Sequence, residues 1–289
     1  MNKFKKISYS GILMLAAVSL CMILSACQGE LKNDTAGENN SMGASAHDLV
    51  ITLNSEGGLA LEGVSVKAYA DGELNDLEAV GRTDGDGKVT LKNVKTGYSL
   101  ILEDVPSGYA FESKYSISDG ITMEIILKTK LVEITDLSEM SFKKGDVMAN
   151  FELSDGEGKT YRLSKLLENY EAVVINFWYN GCQPCKMEFP YLQKAYEAYS
   201  DKVAVLALDP VDGDNSSVEK FKDDNELTFP MMVCDSEWER AFGLLSYPTT
   251  VIIDRYGVIV SVHNGMITEE GVFEEMFRAV LGDDYKQGS

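Results

Sequence analysis

The chain has 289 residues, 45% apolar and 25% charged, ordinary globular usage that excludes a wholly disordered, collagen-like or multi-span membrane protein. A formal net charge of −20 repels phosphate backbones and argues against nucleic acid as a partner. Five cysteines are too few to staple a scaffold of this size, so any chemistry they do comes from particular pairs.

Lys3, Lys5 and Lys6 precede an almost continuous apolar run, Ile7 to Leu24, closed by Leu24-Ser25-Ala26-Cys27. A basic stretch, an apolar stretch and small residues, in that order, predict a secretory signal over residues 1–26. The closing tetrapeptide resembles the bacterial lipobox. That resemblance implies cleavage before Cys27 and a diacylglycerol on its sulfur, with Cys21 lost along with the signal. An uncleaved anchor is the alternative, and both place the remainder outside the cytoplasm, held at the membrane. Residues 27–47 are rich in Gly, Asn, Ser and Ala and read as a flexible tether with a reach on the order of 25 Å.

Residues 48–130 carry short alternating segments: Leu49–Leu53, Val64–Tyr69, Val89–Leu91, Tyr98–Leu102 and Ile121–Leu127. Gly-rich turns such as Asp84-Gly85-Asp86-Gly87 separate them, and the pattern predicts a small all-β sandwich. Thr83 to Lys88, Gly97-Tyr98 and Glu103 to Tyr109 together resemble the Cna B-type and carboxypeptidase-regulatory-like sandwiches. Some of those relatives carry a Lys–Asn isopeptide assisted by an acid where Glu103 stands. Leu49–Leu53 has no Lys and Ile121–Leu127 no Asn, so no isopeptide is expected. Asp84 and Asp86 read as turn residues, since a calcium loop needs more oxygens at set positions.

Residues 131–140 read as a linker. From 141 to 285 strands and helices alternate: a hairpin around Ser154–Gly158, a strand Ala172–Trp178, a helix from Cys182, a strand Val203–Leu208 and a helix Ser216–Asp224. A strand Met231–Cys234, a short helix Glu237–Phe242, a hairpin Thr249–Val262 broken at Arg255-Tyr256-Gly257, and a helix Glu269–Leu281 follow. This alternation predicts an α/β sheet with antiparallel edge strands.

Within it stands Cys182-Gln183-Pro184-Cys185, directly after a buried strand and opening a helix, the setting of a redox dithiol. At a helix start Cys182 faces unpaired backbone N–H groups and the positive end of the macrodipole, which favour thiolate over thiol. Cys182 is therefore the expected nucleophile. Cys185, one turn along the same face, can attack a mixed disulfide on Cys182 and release the substrate. An inert disulfide would add little stability over so short a loop. Half a zinc site would lack partners, because the only histidines are His47 and His263.

Asn176-Phe177-Trp178, Cys182 to Pro190, Phe229-Pro230 and Tyr247-Pro248-Thr249-Thr250-Val251-Ile252-Ile253-Asp254 resemble the membrane-anchored thioredoxin-like family of the TlpA/ResA type over roughly residues 141–281. The resemblance implies a thioredoxin-like fold, a redox-active Cys182–Cys185 disulfide and no other cofactor. It implies that Pro248 is the cis-proline facing the dithiol, with the Tyr247 backbone turned toward Cys182 to pair with an extended substrate. It makes Glu188 the active-site glutamate that exchanges a proton with Cys185, while Asn176 occupies the place of thioredoxin's buried aspartate. One departure stands out: relatives carry Trp immediately before the first cysteine, whereas this chain has Gly181, with Trp178 three positions earlier. Trp178, Tyr247 and Pro248 are the expected substrate contacts.

Together these readings predict an extracytoplasmic lipoprotein that reduces protein disulfides. Its electrons would come from a CcdA/DsbD-type membrane donor, since no flavin or nicotinamide fingerprint is present. Apocytochrome c and secreted methionine sulfoxide reductases are the clients the resemblance suggests. A dithiol oxidant is the alternative, as is a surface-binding protein whose sandwich carries the function. Cys234 reads as a small buried hydrophobe, His263 as a strand-surface residue, and Tyr191, Tyr196 and Tyr199 as helix packing.

Overall fold

A computed structural model describes residues 45–134 and 136–282. The signal over 1–26, lipidation at Cys27 and nearly all of the tether fall outside those residues. No helix among the described residues is long and apolar enough to cross a membrane.

The first strand, β1 (His47–Ser55), buries every second residue, Leu49, Ile51, Leu53 and Ser55, the period-two pattern of a sheet with one covered face. β2 (Ser65–Tyr69), β3 (Leu77–Arg82), β4 (Lys88–Val94), β5 (Ser99–Glu103), β6 (Tyr109–Ala110), β7 (Tyr115–Ser116) and β8 (Thr122–Thr129) complete two four-stranded sheets, ordered β4-β1-β8-β6 and β3-β2-β5-β7. Their facing sides share one apolar core, with Leu49, Ile51, Val66, Ala68, Leu91, Leu100 and Ile125 among its members. Asp84 closes the β3–β4 turn by accepting the N–H groups of Asp86 and Lys88 through Oδ1. Glu103 forms an ion pair with Lys67 on the surface.

Residues 131–140 do not hang free. A single 3-10 turn, Leu137–Glu139, is capped by Asp136, and Leu131, Ile134, Leu137 and Met140 pack against the core of the following α/β part. Contact with the sandwich is direct as well: Val147 and Val258 enter its core, the Val147 N–H donates to Ser107 O at 3.0 Å, and the Tyr109 hydroxyl donates to Gly145 O at 3.0 Å.

The α/β part opens with the hairpin β9 (Glu152–Ser154) and β10 (Thr160–Arg162) and the helix α1 (Leu163–Asn169). Next come β11 (Ala172–Phe177), α2 (Gln183–Tyr199), β12 (Val203–Asp209), α3 (Asn215–Asp224), β13 (Met231–Val233) and α4 (Glu237–Ala241). β14 (Thr249–Asp254), β15 (Ile259–Asn264) and α5 (Val272–Leu281) finish it. The central sheet runs β13-β12-β11-β14-β15. Its first three strands are parallel, and β14 and β15 are antiparallel to their neighbours. β11, β12 and β14 are buried throughout, the continuous apolar signature of strands covered on both faces. One core lies under α2 and α5 and the other under α1 and α4. This is the thioredoxin-like arrangement, with the Cys-x-x-Cys at the carboxyl end of β11.

Candidate active site

β11 ends at Phe177, and five residues later Cys182 becomes the N-cap of α2. Its backbone is extended (φ −78°, ψ 100°), and its sulfur, in place of a capping hydroxyl, accepts the Cys185 N–H at 3.1 Å. The first turn of α2 carries Pro184 and no acid. Pro184 brings no N–H, so the Cys185 N–H is the donor that meets the Cys182 sulfur, with no acid in that turn to oppose it. Cys182 and Cys185 form a disulfide (S–S 2.01 Å, Cα–Cα 5.3 Å). Cys182 is 2% exposed and Cys185 fully buried.

α2 buries Cys185, Glu188, Phe189, Leu192, Ala195 and Tyr199, one helical face whose stripe toward the sheet carries one acid. Glu188 has no exposed surface. Its Oε1 accepts from Asn176 Nδ2 at 2.7 Å and its Oε2 from the Ile267 N–H at 2.8 Å. Burial raises its carboxyl to about 7 against the pull of those two bonds. Asn176 is the last residue but one of β11, opposite Thr250 of β14, and Nδ2 also donates to Thr250 Oγ1 at 3.1 Å.

The Tyr247–Pro248 peptide is cis, and the Pro248 carbonyl accepts the Gly265 N–H. Tyr247 packs on the same core cluster as both cysteines. Its ring meets that of Tyr179 edge-on at 5.2 Å, and its hydroxyl donates to Glu239. Tyr179 also fills the space beside Gly181, where an added Cβ would lie 3.0 Å from the ring. An indole before Cys182 would have to displace that tyrosine.

Trp178 corrects the sequence expectation. It is fully buried, wedged against Phe189 and Phe221 at ring distances of 5.2 and 5.0 Å, and presents no surface to a substrate. Turned inward by the end of β11, it supports the base of the dithiol helix.

Three further residues stand at the site that the sequence reading did not single out: Thr250, Ile267 and Asp209. Thr250 and Ile267 reach Glu188's surroundings through strand register and chain return. Asp209, at the carboxyl end of β12, is a buried acid after six apolar residues, a pattern that could have marked it. Its Oδ1 accepts the N–H groups of Val211 and Asp212, and burial together with the Asp212 carboxylate raises it to about 6. Asp212 in turn accepts the Asn180 N–H at 2.6 Å, bracing the loop that leads to Cys182.

Cys234 is a free thiol that is partly exposed, not fully buried as its sequence setting predicts, and desolvation with Asp209, Asp235 and Glu239 nearby pushes its ionisation far up. His263 is exposed on β15. Tyr196 packs on Phe229 and Tyr199 on Phe277. Among the described residues no cluster of three or more His, Cys, Asp or Glu is placed to hold a metal.

Residues 144–262 match the AhpC/TSA family model. The chain is 31% identical over 140 residues to the thioredoxin-like protein YneN of Bacillus subtilis, covering 48% of this chain and 81% of that one. It is 34% identical over 139 residues to the thiol-disulfide oxidoreductase ResA of Halalkalibacterium halodurans, covering 46% and 76%. Among solved structures, StoA from Bacillus subtilis aligns at 27% identity over 44% of this chain and 93% of that one, with a TM-score of 0.37.

Proposed function

This chain belongs to the ResA-type thiol-disulfide oxidoreductases, and we propose that it acts outside the cytoplasm as a lipid-anchored reductant of protein disulfides through Cys182 and Cys185. The observation that carries the reading is the Cys182 sulfur at the N-cap of α2, accepting the Cys185 N–H. In the reduced protein that donor and the helix dipole stabilise the thiolate.

The Cys182 thiolate attacks one sulfur of a client disulfide. The client S–S bond breaks, a mixed disulfide forms on Cys182, and one client thiolate leaves. Cys185 then gives its proton to the Glu188 carboxylate and attacks the Cys182 sulfur. The Cys182–Cys185 disulfide closes, the second client thiolate departs, and two electrons have passed to the client. A carboxyl raised to about 7 can take up and return this proton near neutrality. Tyr247 and Pro248 would present backbone to an extended client segment. A CcdA/DsbD-type membrane donor would reduce the disulfide again, and apocytochrome c or methionine sulfoxide reductases are the client class. Lipid on Cys27 would hold the protein at the membrane. The Cna B-like sandwich would serve as a spacer, a role supported by the apolar seam at Val147 and Val258.

Insulin reduction by the full chain and by Cys182→Ser tests the catalytic claim: the variant loses activity entirely, and equal rates overturn it. Titration against glutathione buffers tests direction. A potential near that of thioredoxin supports the reductant, and one near that of strong oxidants overturns it.

A further inference from the structure

Glu188, Asn176 and Thr250 are all fully buried, and their hydrogen bonds leave one polar atom of Asn176 over. The Ile267 N–H donates to Glu188 Oε2. Asn176 Nδ2 donates to both Glu188 Oε1 and Thr250 Oγ1. Asn176 Oδ1 has no partner.

A backbone N–H can only donate, so Oε2 remains an acceptor whether the acid is charged or neutral. A proton placed on Oε1 leaves Oε2 wholly to the Ile267 N–H. There it would point at Nδ2, a second donor, and the 2.7 Å bond would be lost inside the core. A half-turn of the amide removes the conflict. Oδ1 then accepts from Glu188 Oε1–H, and also from Thr250, whose hydroxyl can donate as readily as accept. Because Oδ1 has no partner, the half-turn breaks no bond on its own side, and its cost is that Nδ2 is left there without an acceptor. The groups facing the carboxyl are Asn176 of β11 and the Ile267 N–H after β15, and no charged side chain contributes to its perturbation. On its own helix Cys185 lies one turn before it.

We propose that Asn176 is a positioning residue for the proton that Glu188 carries: its amide rotates with the charge of the carboxyl, so that the acid keeps both hydrogen bonds in either state and always bears its proton on Oε1. A fixed donor at this place would hold Glu188 ionised, and a fixed acceptor would hold it neutral. A freely turning amide allows the passage between the two, and Thr250 follows it by rotating one hydroxyl. The proposal rests on the reading of Glu188 as proton carrier.

Nuclear magnetic resonance on the oxidised full chain, with 15N in asparagine and 13C in the glutamate carboxyls, tests it between pH 5 and 9. Signals of Asn176 are assigned by their loss in Asn176→Asp. The Glu188 carboxyl carbon and the Asn176 side-chain amide are expected to titrate with one shared midpoint. In Glu188→Gln the new amide donates to Asn176 Oδ1 at every pH, so the Asn176 signals become pH-independent and match the acid limit of the wild type. A second carboxyl in Asn176→Asp raises the proton affinity of Glu188 at least tenfold. If Glu188 titrates while the Asn176 amide does not move, the proposal is overturned and the proton-carrier reading survives. If Glu188 does not titrate in this range, both fall.

Discussion

The backbone N–H of Ile267 donates to Glu188 Oε2 at 2.8 Å, tying the helix that bears the dithiol to the segment after β15. The bond keeps a carboxyl in a fully buried place, and burial still raises it from 4.5 to about 7. Folded protein therefore holds this proton more tightly than unfolded chain. Below about pH 4.5 both states are protonated and nothing is lost. Between about 4.5 and 7 the unfolded chain ionises first, so stability falls as pH rises, by about 3 kcal/mol above pH 8. Glu188→Gln removes that slope. Urea midpoints of the oxidised proteins at pH 5 and pH 8 check it: wild type drops more than the variant, and parallel falls would assign the loss to other groups.

Trp178 packs between Phe189 and Phe221 with its indole Nε1 unpaired. Trp178→Phe keeps an aromatic ring and removes a buried donor without a partner, so it costs less than about 1.5 kcal/mol. Trp178→Ala opens a cavity and costs about 3–5 kcal/mol. Insulin KM is unchanged in Trp178→Phe. A severalfold rise in KM at preserved stability would restore a substrate contact to this residue.

Both findings show where a linear reading stops. β11 and β12 were legible because strands covered on both faces are unbroken apolar runs, and Cys182, Cys185 and Glu188 because they share one helix at fixed spacing. β3 was not: Leu77–Arg82 is an edge strand with no buried residue, so its sequence has no alternation to find. α1 has only 7 residues, and its N-cap, Arg162, makes no side-chain cap, so no start signal precedes it. The partners of Glu188 were hidden for another reason. Thr250 is 74 residues from Asn176 and Ile267 is 79 from Glu188, distances closed by antiparallel register and chain return. Trp178 was misplaced because its inward turn depends on Phe221, which α3 supplies.

Gly108 lies at the seam between the sandwich and the α/β part. Its φ is +84°, and a Cβ there would overlap the side chain of Val147. Gly108→Ala imposes a left-handed backbone of about 1–2 kcal/mol on an L-residue and adds the overlap. Val147 is then forced out of the sandwich core. The expected outcome is faster proteolytic cleavage within residues 131–140 with insulin reduction unchanged, read by limited proteolysis and turnover on one preparation. Equal cleavage rates would mean that the seam contributes no rigidity.

Cys234 tests whether ease of ionisation, rather than burial, separates a structural thiol from a reactive one, since Cys182 is the more buried of the two. Its ionisation is pushed far up, first by burial and then by Asp209, Asp235 and Glu239, whereas Cys182 caps a helix with a donor on its sulfur. Thiolate, not thiol, is the nucleophile toward iodoacetamide. In native, fully reduced protein at pH 8, Cys182 is expected to alkylate at least tenfold faster than Cys234, which reacts only once urea unfolds the chain. Cys234→Ala retains insulin reduction. Peptide mass spectrometry over a time course reads both sites at once. Comparable rates at the two cysteines would show that the Cys234 thiol ionises as readily as Cys182 and would bring it into the redox chemistry.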